Sequence, residues 1–168
     1  MTRLMRLASL LFTGLFAGFL LGVLVLENSL RGYGAEVYTQ VRQVELDSLD
    51  TLASVTLIPA ILTTVVLAIR AQGNDRRLAW TAAVLLLLVF ATTLAINLPI
   101  NADQSNWSPQ NPPTDWSTTR DRWQLAHLAR TIAALLAFAT LTTTAFARPQ
   151  ASKPPDVKRV TTRSWESA

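Results

Sequence analysis

His127 is the single histidine of the chain, and it stands between Trp123 and Arg130 in the pattern i, i+4, i+7. At about 100° per residue these three side chains fall within roughly 60° of one another on a helix surface. An imidazole that titrates near neutrality, a guanidinium and an indole on one face can combine proton transfer, stabilisation of a developing negative charge and a flat apolar wall. Arg120 extends the same stripe by one further turn. His127 and Arg130 lie within a long apolar run, where an ionisable residue is costly and usually turns toward a helix-bundle interior or a wet cavity.

Other polar groups reach the same level. The run Asn97-Leu98-Pro99-Ile100-Asn101 closes a preceding apolar stretch. Pro99 has no N–H and frees the carbonyl of Ala95, so the two asparagines are expected to cap the loosened turn or to donate into a site. Glu45, Asp47 and Asp50 stand just before another apolar stretch, where a carboxylate can pair with Arg130 or fix the tautomer of His127. Metal binding fits poorly: one His, no Cys and no Glu-x-x-His pair supply too few ligands. Haem with His127 as sole axial ligand is the remaining cofactor option, and the reading favours no cofactor.

These residues need elements to carry them. The chain has 168 residues, of which half are hydrophobic and only 15% charged, against about a quarter charged in soluble domains. Charges gather between four long apolar runs: 7–26, 51–69, 78–99 and 123–147. Each is close to the roughly 20 residues that cross a bilayer. The fold class is therefore all-α, a transmembrane four-helix bundle in residues 1–148, with no room for a separate soluble domain. The first run follows Arg3 and Arg6 but exceeds a signal-peptide core, and no Ala-x-Ala site follows, so it reads as an uncleaved anchor. Residues 149–168, polar, basic and Pro-containing, read as a disordered tail. Absence of Cys removes disulfides and thiol nucleophiles.

Lys and Arg divide unevenly between alternate loops. Arg3, Arg6, Arg70, Arg76, Arg77, Arg148, Lys153, Lys158, Arg159 and Arg163 fall on one side, against Arg31, Arg42, Arg120 and Arg122 on the other. Cytoplasmic loops carry the excess, which puts both termini in the cytoplasm, most simply at the plasma membrane. The net charge of +4 then reflects topology beside anionic lipid, not nucleic-acid binding. The short link 71–77 makes the second and third helices antiparallel neighbours. Val37, Val41, Val44, Ser48, Leu52 and Val55 recur at helical spacing, so a helix is expected from about Ala35, unbroken into the second span and projecting beyond the membrane. Pro109, Pro112 and Pro113 suit an irregular cap over about 100–122, with Trp107 and Trp116 at the interface. Gly14, Gly18 and Gly22 form a four-residue ladder that predicts close helix packing inside the bundle, or homo-oligomerisation. Pro59 predicts a kink in the second span.

The segment from Asn97-Leu98-Pro99-Ile100-Asn101 through Trp123, His127 and Arg130 resembles the anthrone oxygenase-like family of small four-helix membrane proteins. The four-span layout covers the chain to about Ala147, and the specific match runs from Asn97 to Arg130. The resemblance implies oxidation of an anthrone to an anthraquinone with molecular oxygen and without metal or flavin. It implies His127 as base, Arg130 and Asn97 as partners of the enolate oxygen, and Trp123, Asn101 and Glu45 around a small apolar aromatic molecule. The competing reading is a non-enzymatic structural or accessory protein whose polar cluster only holds the outer helix ends together. A transporter ranks third, because no span carries a charge at mid-depth and the halves show no repeat. The topology is tested with reporter fusions: Gly73 and Ala168 should report cytoplasm and Gln110 the opposite side.

Overall fold

The computed structural model describes residues 2–146, and the regular structure within them is helical, with no named strand among the described residues. Helix α1 spans Thr2–Ser29, α2 Ala35–Arg70 and α3 Gly73–Thr92; a π-helical turn, Thr93–Asn97, joins α3 to the short α4, Leu98–Gln104; α5 spans Trp116–Phe146. The four long helical segments are each long and apolar enough to cross a membrane. They form a closed ring in the order α1, α2, α3, α5, each packed on the next. The expected tail over 149–168 lies outside the described residues.

Size, not hydropathy, sorts inward from outward positions. Ala17, Ala60, Ala68, Ala79, Ala82, Ala83, Ala134 and Ala137 are buried between the helices, with Phe16, Leu20, Leu67, Leu86 and Leu141 among them. Leu7, Leu11, Leu15, Ile58, Leu62, Val84, Leu88, Ile132 and Leu136 face outward. Close backbone approach across small residues is what marks the packed seams between these helices. Thr13, Thr64 and Thr144 are buried as well, and Thr144 back-bonds to the carbonyl of Leu141. At the end of the bundle holding residues 6 and 144, Arg6 donates to the Thr144 carbonyl and to Asp75 at 2.6 Å each, joining α1, α3 and α5.

Two expectations need correction, those for the glycine ladder and for Trp107. The glycine ladder does not pack inside the bundle: a Cβ at Gly18 or Gly22 would meet nothing within 4 Å, and only at Gly14 would it meet another helix, 2.9 Å from the Phe138 ring. The valine stripe on α2 is an outer face, with Val37, Val44, Leu52 and Val55 exposed, while Tyr38, Thr39, Arg42 and Glu45 turn inward. Helix α2 runs unbroken from Ala35 through Pro59 to Arg70 as expected, with Tyr38, Arg42 and Glu45 of its first third packed inward. The cap is irregular over 105–115, where the three prolines lie, while α4 continues to Gln104 and α5 begins at Trp116. Trp107 is buried with Leu30 and Tyr38, where an interface position was expected.

The link between α2 and α3 is two residues, Ala71 and Gln72, and Gly73 takes φ +58°, a left-handed turn that favours glycine. The π-turn follows from Pro99: with one N–H missing, the helix widens and Leu98 N–H bonds the Thr93 carbonyl five residues back. Neither asparagine caps it; Asn97 makes no side-chain cap bond.

Gly18→Leu should therefore leave thermal stability in detergent unchanged, because its side chain enters open space. Ala17→Leu, at a fully packed position, should lower stability by about 1–3 kcal/mol through overpacking. A loss at Gly18 equal to that at Ala17 would mean the glycine face is covered in solution.

Candidate functional site

The polar residues of the His127 end form two centres, each built on one arginine. The first is Arg42, buried and central. Its Nη1 faces Glu45 at 2.5 Å and Glu27 at 3.2 Å. Its Nε and Nη2 both donate to Gln104 Oε1 at 3.1 Å, and Nη2 also donates to Asn101 Oδ1 at 3.0 Å. Around it, Gln104 donates to the Tyr38 hydroxyl at 3.2 Å, and Gln124 donates to Glu27 Oε2 at 2.8 Å. One guanidinium thus joins α1, α2 and α4 directly, and α5 through Glu27 and Gln124. Arg42 counts only as a loop charge in the sequence reading, and Glu27 only as the end of an apolar run. Tyr38, Thr39, Arg42 and Glu45, at i, i+1, i+4 and i+7, are the signal that would have found this centre: a polar arc on an otherwise apolar helix faces inward.

The second centre is Arg130. It donates to Thr93 Oγ1 at 2.9 Å and to His127 Nδ1 at 2.8 Å. Because Nδ1 accepts from a guanidinium that has no lone pair to give, the ring proton of neutral His127 sits on Nε2, which donates to the Leu20 carbonyl at 3.0 Å. The tautomer is set by a backbone carbonyl of α1, not by α3 or the 45–50 segment as expected. Both ring nitrogens are engaged, so His127 as found has no lone pair to offer a metal. No carboxylate lies within ion-pair distance of Arg130 among the described residues, and its buried Nε has no hydrogen-bond partner.

Trp123 joins the two centres. Its ring stacks on His127 at 4.8 Å and 7°, and the Arg42 guanidinium lies 4.2 Å from its centroid. Its Nε1 donates to Asn101 Oδ1 at 2.7 Å.

Beside these groups lies a cavity of about 180 Å³. Arg130, His127, Trp123, Arg42, Glu45, Asn101 and Asp50 border it, together with apolar residues of α1, α2 and α3 that include Phe16, Phe19, Leu20, Leu57 and Phe90. Five of the six residues singled out from sequence, with Asn97 the exception, therefore meet at one space. Asn97 is buried one layer away and donates to the Trp123 carbonyl at 3.3 Å, holding the π-turn against α5. Asp50 borders the cavity from an exposed position; Asp47 is exposed and does not border it. Three or more His, Cys, Asp or Glu that could share a metal ion do not come together among the described residues.

Fold and site define a bundle of four membrane-length helices with a largely apolar cavity, bordered by a polar cluster, near one end. The family model for anthrone oxygenase matches residues 49–140, more than half of the chain, and the protein belongs to that family. The match takes in Asp50, Asn97, Trp123, His127 and Arg130 and leaves out Glu27, Arg42 and Glu45. No curated protein and no solved structure matches the chain.

The Arg42 centre should behave as a stabilising lock. Arg42→Met leaves two buried carboxylates without their cation, and should cost about 3–5 kcal/mol in unfolding free energy. Glu27→Gln and Glu45→Gln, which keep hydrogen bonding, should each cost less than Arg42→Met. Thermal unfolding in detergent micelles checks the order; an Arg42→Met protein as stable as the parent would remove the lock.

Proposed function

We propose that the protein is an integral membrane oxygenase, which oxidises a small aromatic ketone of the anthrone type with dioxygen in the cavity beside Arg130. The observation that carries this reading is the buried guanidinium of Arg130, with no carboxylate partner among the described residues and an unpartnered Nε, on the wall of an apolar-lined cavity. Such a cation suits an oxygen that becomes negative during the reaction. Membership of the family supports the substrate class.

An anthrone carries an acidic CH₂ opposite its ketone. Removal of one proton gives an enolate whose oxygen rests on Arg130, where preorganised donors in a dry site stabilise charge best. The base is His127 acting through Nδ1. Its lone pair accepts from Arg130, and comes free when the substrate oxygen draws that N–H to itself. The enolate passes one electron to dioxygen, the resulting radicals combine at the former CH₂ carbon, the peroxide anion takes back the proton held by His127, and the hydroperoxide loses water. One O₂ is consumed, one of its atoms remains as the new carbonyl, and the other leaves as water. No electron source other than the substrate is required. Trp123 supplies a ring-sized wall, and Asn97 holds the backbone of Trp123 in place.

The chain is read as lying in the plasma membrane with both termini cytoplasmic, supported by the distribution of Lys and Arg, which puts the cavity toward the opposite face. The alternative, a non-enzymatic accessory protein, is favoured by the Arg42 centre alone, since that cluster closes on itself in direct pairs.

Purified protein in lipid nanodiscs should convert anthrone to anthraquinone with one O₂ per product. Arg130→Leu should lower kcat/KM by about 10²–10³, and His127→Gln by about 10²–10⁴, both in folded protein. If Asp50→Asn abolishes turnover while His127→Gln retains it, the base is Asp50. Absence of turnover and of anthrone binding in the parent leaves the accessory reading.

A further inference from the structure

Toward the loops the cavity meets buried polar residues. Arg42, Glu45 and Asn101 border the cavity there, and they are tied to buried Gln104, Tyr38 and Glu27 in one network. That network covers the cavity on the side of Arg42. The opposite end is closed by the packed core around Phe16, Leu57 and Leu86.

The sides are unequal. Along α1 and α5 the wall consists of Phe16, Phe19, Leu20, Val23, Trp123, His127 and Arg130, all of them buried except Phe19, which is partly buried. Along α2 and α3 it includes Ser54, Ile58, Phe90, Leu94 and Leu98, all of them exposed on the outer surface, Ile58 and Leu94 at 51%. The cavity therefore reaches the surface between α2 and the α3–π-turn segment. These rim residues lie inside the apolar spans 51–69 and 78–99, so the surface they share is one that lipid covers. Asp50, one turn before Ser54 and bonded to it through its carbonyl at 3.0 Å, marks the polar end of the mouth.

We propose that the substrate enters sideways from the bilayer, through a mouth between α2 and α3 rimmed by Ser54, Ile58, Phe90 and Leu94. The proposal rests on the reading above that the helices span a membrane and that the cavity takes an apolar aromatic molecule. It adds a selection rule: the substrate is drawn from the pool dissolved in lipid, and a derivative carrying a permanent charge or a sugar is refused at the mouth whatever its fit inside. A dry, lateral entrance also suits dioxygen, which concentrates in hydrocarbon, and it keeps water from the enolate.

The absence of native cysteine makes the test clean, because any introduced thiol is labelled alone. A nitroxide is attached to Ser54→Cys, to Leu94→Cys and to Leu136→Cys, the last on the outer face of α5 away from the cavity. All three are reconstituted in nanodiscs. Lipid-soluble O₂ should relax the rim labels more strongly than a water-soluble nickel chelate does. The label should lower kcat/KM for anthrone by about tenfold or more at each rim position relative to its own unlabelled form (1.36 kcal/mol per tenfold), and leave Leu136→Cys unchanged. Nickel relaxation equal to that of O₂ at both rim positions would place the mouth in water and overturn the proposal, whether or not anthrone is oxidised. Labelled rim variants that turn over at their unlabelled rates would overturn it as the route. If no form oxidises anthrone, the reaction assigned above falls. The blocking arm is then read as the association rate of anthrone, followed by tryptophan quenching, with the same two outcomes.

Discussion

One buried guanidinium organises the polar end of this bundle. Arg42 sits where α1, α2, α4 and α5 converge, and its fork meets acceptors from three stretches of chain: Glu27 of α1, Glu45 of α2, and Asn101 and Gln104 of α4. Moving a cation out of water is costly, and the cost is offset only if several well-aligned acceptors surround it. That requirement fixes geometry. Glu27 must stay helical beyond the apolar run of α1, Gln104 must stay helical beyond Pro99, and α2 must begin early enough to carry Tyr38 and Arg42. The helical length of this end and the burial of Trp107 follow from the same constraint.

Trp123 passes that rigidity to the second arginine. Its indole touches the Arg42 guanidinium, stacks on His127 and is pinned by Asn101, so the His127–Arg130 pair is held from a fixed platform. The two arginines differ in what is left over. Arg42 has carboxylates on two sides; Arg130 has a hydroxyl and an imidazole nitrogen and borders the cavity. The two arginines are thus alike in burial and opposite in how far their partners neutralise them.

The π-turn is the third element of this arrangement. Pro99 removes one donor, the turn widens, and Thr93 faces α5 where its hydroxyl accepts from Arg130 while donating to the Val89 carbonyl. A regular helix through Thr93–Asn97 would rotate Thr93 relative to Asn101, and the two could not serve Arg130 and Arg42 at once. A helix defect thereby aligns two sites that one regular helix would separate.

The sequence by itself determined the four helices, the unbroken α2, the shared helix face of Trp123, His127 and Arg130, and the meeting of these with Asn101 and Glu45 at one end. Each of these depends on local periodicity and on the depth of a residue along its own span, and both are properties of a single helix. Only the tertiary structure decided which faces look inward. Helices this apolar carry hydrophobic residues on every face, so the Val37–Val55 stripe and the Gly18–Gly22 face gave no direction, and both turned out. Polar groups do carry direction, yet pairing them needs distances between helices. For that reason Arg42 read as a loop charge, Glu27 as a boundary, and His127 as a partner of nearby carboxylates. The fold gave Glu45, with Glu27, to Arg42 and left Arg130 at the cavity without a carboxylate partner among the described residues, because one cation was enclosed by acceptors from the other helices and the other was not.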